Sequence, residues 1–415
     1  MGVTVSWGIN LLKWTLVALT ALALDEWPQW RGPHRDGQAV GFKVPATWPK
    51  ALTERWQVEV GLGNASPVVA EDHIFVFSRR GDDEVLACFE PADGKELWQH
   101  GYPAPYQVNP AAVMHGKGPK STPAIAAGRA FTLGISGIVT CWDTKTGKIL
   151  WQRDFAKQFN KTAPLYGAAM SPVVDQDKCI VHVGGPDKGA LMALDVKNGE
   201  TEWSCADDGP GYVSPIVVTL SDVRQVVTQT EKVCIGVDAA EGKLLWKIPF
   251  RTEYDQNMVT PLEHEGSIIF SGINKGVDRY RIEEQDDEWE TDKTWENNEV
   301  SLYMSSPVAD GETLFGFSHR HKGEIFAMDL TTGKTLWTSD GRLGDSASVV
   351  RTGKVLWALT TQSELIVFKA SESQFEPLAH YRVAETPTWA HPVILPSGVL
   401  VKDETKLTLW QFPKK

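Results

Sequence analysis

Leu191-Met192-Ala193-Leu194-Asp195-Val196-Lys197-Asn198-Gly199-Glu200-Thr201-Glu202-Trp203 contains, in thirteen positions, the unit from which the whole chain is built. The apolar run 191–194 has the composition of a strand. Asp195 can accept backbone N–H groups of a tight turn, and Gly199 supplies the positive-φ residue that closes it. The returning strand brings Trp203, whose flat ring can pack between neighbouring sheets. The same frame, Asp-x3-Gly-x3-Trp, recurs at Asp143/Gly147/Trp151, Asp238/Gly242/Trp246 and Asp329/Gly333/Trp337, and with an acidic variant at Glu90/Gly94/Trp98. Five such hairpins in one frame mark a repeat architecture.

A second signature precedes each hairpin. Ser or Thr, then Pro, then β-branched or apolar residues occur at Ser66-Pro67, Thr122-Pro123, Ser171-Pro172, Ser214-Pro215, Thr260-Pro261 and Ser306-Pro307. Pro is tolerated at the first residue of a strand, where no ladder N–H is lost. Another apolar run follows each, as in residues 74–77 and 314–317, so every unit predicts four strands. The marker tryptophans Trp98, Trp151, Trp203 and Trp246 lie 53, 52 and 43 residues apart, and the 91 residues from Trp246 to Trp337 hold one unmarked unit with Trp289 or Trp295. A further unit over 348–368 has lost its marks, and 391–410 supplies only three strands. Residues 54–58, around Trp56, read as the missing fourth strand. Residues 52–411 then divide into eight units of 45 residues. The expectation is an all-β, eight-bladed β-propeller of four-stranded antiparallel blades, closed by the N-terminal strand, which leaves no long open edge.

This reading explains how 415 residues avoid needing one oversized core, since each sheet buries both faces on its neighbours. A hydrophobic content of 42% excludes a disordered chain, and a net charge of −12 argues against a nucleic-acid partner. The apolar stretch 11–24 is short for a bilayer span and ends in Ala21-Leu22-Ala23. Residues 1–23 are therefore expected to be a secretory signal and 24–51 a leader segment, with the protein periplasmic or secreted. A membrane enters only if that signal stays uncleaved. The five cysteines, Cys88, Cys141, Cys179, Cys205 and Cys234, are odd in number and show neither C-x-x-C nor C-x-x-C-H spacing. Cys88 and Cys141 stand ten positions before a marker Trp, where other units carry Ala193, Gly236 and Ala327, so they read as small buried residues.

The repeated frame with its Ser-Pro-Val-Val starts resembles the PQQ-like repeat, whose superfamily includes quinoprotein alcohol dehydrogenases and the propeller subunit of the outer-membrane β-barrel assembly machinery. The segment Trp27-Pro28-Gln29-Trp30-Arg31-Gly32-Pro33 with Gly37 looks like the leading segment of exported PQQ-like repeat proteins common in planctomycetes and related bacteria. The resemblance implies a propeller and, for the enzymes, a quinone held with calcium. This chain has no adjacent cysteine pair of the kind on which many of those enzymes stack the quinone, and their acidic calcium ligands match no motif here. No cofactor is evident, and pyrroloquinoline quinone with calcium is the alternative.

In a propeller the loops before each Pro open at one mouth of the central channel. That places Tyr212, Asn257 and Tyr303 there, with Arg79, Arg80, His319, Arg320 and His321 from loops expected to rim the same mouth. The insertion 101–120 brings His115 and could close over it as a lid. The histidines, His391 among them, show no recognised ligand spacing, and the nine acidic residues of 283–299 read as a solvated insertion between strands. The leading expectation is a monomeric, non-catalytic binding or scaffold module that takes a protein or carbohydrate partner at its loop-rich face. A quinone-dependent dehydrogenase of alcohols or sugars is the alternative.

Overall fold

The computed structural model describes residues 26–205 and 208–413. The signal expected at 1–23 lies outside the described residues. Eight four-stranded antiparallel sheets surround a common axis. From inside outward, blade 1 comprises Val68–Ala70, His73–Arg80, Asp83–Phe89 and Glu96–Pro103. Blades 2 to 7 repeat this order over 124–153, 173–205, 216–249, 262–297, 308–338 and 347–382. Blade 8 takes three strands from 393–411 and its outermost from Thr53–Glu59, with Gln57 opposite Thr408. The ring is thus closed by the N-terminal strand. Among the described residues, no helix is long and apolar enough to cross a membrane.

The hairpin frame does more than turn the chain. In blade 3, the Asp195 carboxylate accepts the N–H groups of Lys197 and Asn198, and Gly199 sits at φ +73°. Gly199 also lies beneath the Trp151 ring of blade 2, so close that a methyl group there would come within 2.6 Å of it. The Trp151 indole N–H donates to the Val196 carbonyl in the same turn. Trp56, Trp98, Trp203 and Trp295 dock in the same way on Gly94, Gly147, Gly242 and Gly333 of the following blade. These rings therefore lock their blades to the next, whereas the Trp246 indole N–H donates to Gln225 Oε1 within its own blade. Across its own sheet the ring faces a small residue: Cys88 pairs with Trp98, Cys141 with Trp151, Ala193 with Trp203 and Ala327 with Trp337. All five cysteines are buried.

The acidic segment differs from expectation. Residues 283–299 are not an insertion between strands but part of a long hairpin, Gly276–Gln285 with Glu288–Asn297, turning at Asp286 and Asp287 with positive φ. Part of its charge is paired: Arg281 meets Glu283 and Asp292, and Lys293 meets Asp278 and Glu296. Trp295, not Trp289, is this blade's marker.

The leader fills the channel. Trp27 pairs with Val69 of blade 1, and the Pro28 carbonyl accepts the N–H of Ile125 in blade 2. The chain reaches Trp30, turns back through Arg31, Gly32, Arg35 and Gly37, all at positive φ, and pairs Gln38 with Arg351 of blade 7. The buried Arg31 guanidinium donates to the carbonyls of Arg35, Asp36, Ser306 and Pro307. Arg35, also buried, reaches those of Ser171 and Pro172. Burial holds Arg31 down to about 10 and, with Arg31 as neighbour, Arg35 down to about 9, so both stay cationic at neutral pH.

Candidate functional site

The Ser/Thr-Pro starts converge around the channel mouth, and their hydroxyls stitch one blade to another. The Ser66 N–H donates to Thr122 Oγ1 at 3.0 Å, Thr122 N–H to Ser171 Oγ at 3.0 Å, and Ser171 N–H to Ser214 Oγ at 2.9 Å. Thr260 N–H reaches Ser306 Oγ, and His391 N–H reaches Ser66 Oγ across the closure between blades 8 and 1. These residues are all buried. The hydroxyls are thus committed to the framework and form a collar.

Above the collar lies a cavity of about 160 Å³. Its floor is Trp30, whose indole N–H donates to Thr260 Oγ1 and whose ring lies 4.2 Å from that of His391. Its walls are aromatic: Tyr166 against Tyr212, Tyr303, and Trp389 edge-on to His115. Polar groups come from Asn64, Gln256, Lys120 and His391. The Tyr303 hydroxyl donates to Gln256 Oε1, and the Lys120 ammonium to the Tyr166 carbonyl. Burial pulls Lys120 down to about 8 and lowers His115, pushes Tyr303 up to about 12, and, with Arg31 nearby, holds His391 well below the usual histidine range. His391 is therefore a neutral imidazole at neutral pH. No carboxylate is among the residues lining the cavity.

Of the residues singled out in the sequence, Asn64, His115, Tyr212, Ser214, Tyr303, Ser306 and His391 stand in this lining. Arg79, expected at the rim, is 1% exposed, its guanidinium spent on the carbonyls of Lys117, Asp82 and Ala104, where it pins the insertion 101–120 to blade 1. Arg80 turns to Glu96 and Gln99 on the outermost strand of its own blade. Asn257 is fully buried and ties its loop to the carbonyls of Thr230 and Phe250. His319 bonds to Ser301 and Asn274, Arg320 to the Glu299 carbonyl, and the exposed His321 to Glu324, so this cluster lies beside the mouth and outside the cavity. The insertion is a single 3-10 turn, Pro110–His115, that contributes a wall at His115.

Trp30, Lys120, Tyr166, Gln256 and Trp389 were not singled out by the sequence reading. All but Trp30 lie one to four residues before a Pro-start or in a connection between blades, where a position count alone does not separate cavity-facing from blade-facing side chains. Among the described residues, the one group placed to share a cation is His264, Glu265 and Glu312, largely exposed and at the opposite end of the channel. The mouth histidines form no such group.

A sequence model of the family described as outer membrane protein assembly factor BamB matches residues 82–339. The outer membrane protein assembly factor BamB of Yersinia pestis is 23% identical over 259 residues, which cover 60% of this chain and 63% of that protein. The chain thus spans less than two thirds of that curated relative's length. The crystal structure of BamB from Moraxella catarrhalis superposes with a TM-score of 0.61 at 16% identity, covering 87% of this chain and all of that one. The quinohemoprotein alcohol dehydrogenase of Comamonas testosteroni superposes with a TM-score of 0.68 at 12% identity, covering 94% and 82%. At such identities the structural likeness establishes the eight-bladed fold alone. With more than half of its length matched by that one family model, the chain belongs to the family of the outer membrane protein assembly factor BamB.

Proposed function

We propose that the protein is an exported, non-catalytic binding module whose loop-rich mouth takes a protein partner. One observation carries this reading. Val113, Met114, Leu165 and Tyr254, on three separate loops around the cavity, are 66%, 79%, 49% and 81% exposed. Large apolar side chains gathered on one end of a folded chain mark an interaction surface. Beneath them the collar, the leader and Arg79 hold the loops on a rigid base, which lowers the ordering cost of binding. The name shared by the relatives, an assembly factor for outer membrane proteins, supports a protein partner and an exported location, as does the leader in the sequence.

The dehydrogenase alternative has the distant structural likeness behind it. The residues around the cavity do not fit a quinone with calcium: they include no carboxylate for the metal. Calorimetry with pyrroloquinoline quinone and calcium is expected to give no binding heat at micromolar protein.

The test of the docking reading compares two pairs of substitutions in the cell envelope. Met114→Glu with Leu165→Glu is expected to reduce recovery of the native complex by roughly tenfold or more, as loss of central apolar anchors does. Ile149→Glu with Leu244→Glu, at exposed positions on outermost strands, should leave it unchanged. Equal recovery with both pairs would overturn the assignment of the mouth.

A further inference from the structure

Deeper than the apolar rim, the cavity is furnished for something other than a protein surface. Gln256 is 5% exposed, and its Oε1 is taken by Tyr303, yet its Nε2 has no hydrogen-bond partner among the described residues. His391 is 3% exposed and neither ring nitrogen is partnered; its Nδ1 is a fully buried polar atom without a bond. The half-buried Asn64 adds a side-chain amide with no partner among the described residues. Gln256, Asn64 and His391 thus keep hydrogen-bonding capacity that the described residues do not use, and a ligand in the cavity can take it up at Gln256 and Asn64.

The ligand's chemistry follows from the rest of the lining. With no carboxylate in the lining, a cation finds no counter-charge, and the one ammonium, Lys120, is held at the wall by the Tyr166 carbonyl. The volume, about 160 Å³, matches one six-membered ring, since a cavity of ~150 Å³ accepts benzene. A purely aromatic ring would fill that space and leave the amides unpaired. A pyranose meets both demands. Its C–H faces suit aromatic planes, and each hydroxyl both donates and accepts, which matches the amides.

We propose that the mouth cavity binds one neutral pyranose ring, free or at the end of a glycan, stacked on Trp389 and hydrogen-bonded through its hydroxyls to Asn64 and Gln256. This rests on the mouth being the binding face and assigns the class of small ligand it takes.

The experiment is saturation-transfer NMR on the purified chain with glucose, galactose, mannose and N-acetylglucosamine, each also as its methyl glycoside to mimic a chain end. Saturable binding is expected with a Kd on the order of 1 mM, the ordinary strength for so small a contact. Trp389→Ala and Asn64→Ala, both at partly exposed positions, and the near-isosteric Gln256→Leu should each weaken it about tenfold, while His264→Ala at the far end leaves it unchanged. Unaltered thermal unfolding of the half-exposed variants separates lost contacts from lost fold. The absence of saturable signal for every sugar to about 50 mM would overturn the proposal. So would affinity that survives Trp389→Ala and Asn64→Ala, or binding of N-acetyltyrosinamide in place of the sugars. The Met114→Glu and Leu165→Glu pair should keep full sugar affinity, so failure of the sugar site and failure of protein docking read out separately.

Discussion

Gly199 meets two demands at once, a left-handed backbone and the ring of Trp151 overhead. Substitution can separate them. Gly128 has a similar φ of +75° but open space around it, whereas a methyl group at Gly199 would lie 2.6 Å from the indole. Gly128→Ala should cost about 1 kcal/mol through backbone strain alone. Gly199→Ala should cost about 3 kcal/mol in chemical denaturation, the excess reporting the displaced ring. The turn requirement was legible from spacing, because it is local; the docking was not, because it joins residues of different blades. His182 makes a second residue-scale prediction. Burial holds it down to about 4, its ring bonded to the Asp208 carbonyl. The unfolded chain takes up this proton near pH 6.5 and the folded chain only near 4, so the unfolded state binds more protons between those values. Stability present above pH 6.5 is therefore lost as pH falls toward 4, by about 3 kcal/mol from this residue. His182→Gln should flatten that part of the stability profile, and an unchanged slope would contradict it.

At the scale of the element, the leader was recognised in the sequence only as a motif, and its place could not be read. Its bonds reach partners far along the chain: Arg35 to Ser171 and Pro172, Arg31 to Ser306 and Pro307. No local pattern encodes such pairing. The structural reason for the two arginines is geometric, since a planar fork serves several carbonyls that an ammonium cannot reach together. Arg31→Lys should thus cost about 2–3 kcal/mol, close to Arg31→Ala, because buried carbonyls lose their donors in both. Full rescue by Lys would show that charge alone matters. The mouth loops show the same limit. Tyr212 and Tyr303 could be placed near the cavity from their distance to a Pro-start and His115 from its insertion, whereas Arg79 and Asn257, at equally suggestive positions, turn inward to satisfy carbonyls of neighbouring segments. Position along a loop tells which end of the propeller a residue occupies and leaves the direction of its side chain open.

For the whole molecule, the fold was legible almost throughout, because a repeat states its own geometry many times and errors in one unit are corrected by the others. The blade at 262–297 shows how: its turn has exchanged Asp and Gly for an acidic hairpin, and its Thr260-Pro261 start with the spacing of its neighbours declared it. The mouth, its collar and its cavity exist only if blade 8 is completed by the strand around Trp56, because His391 bonds to Ser66 across that closure. The most direct test is a cross-strand disulfide at the seam. Gln57 and Thr408 stand directly opposite in an antiparallel pair, an arrangement that brings Cβ atoms to about 4.5–5.5 Å, close to what a bridge needs. In the double variant Gln57→Cys with Thr408→Cys, mild oxidation should form an intramolecular bond in nearly all folded molecules, seen as faster migration without reductant. Failure of the two cysteines to join, or their joining only between molecules, would mean that the ring is open at this seam and that the mouth described here does not exist.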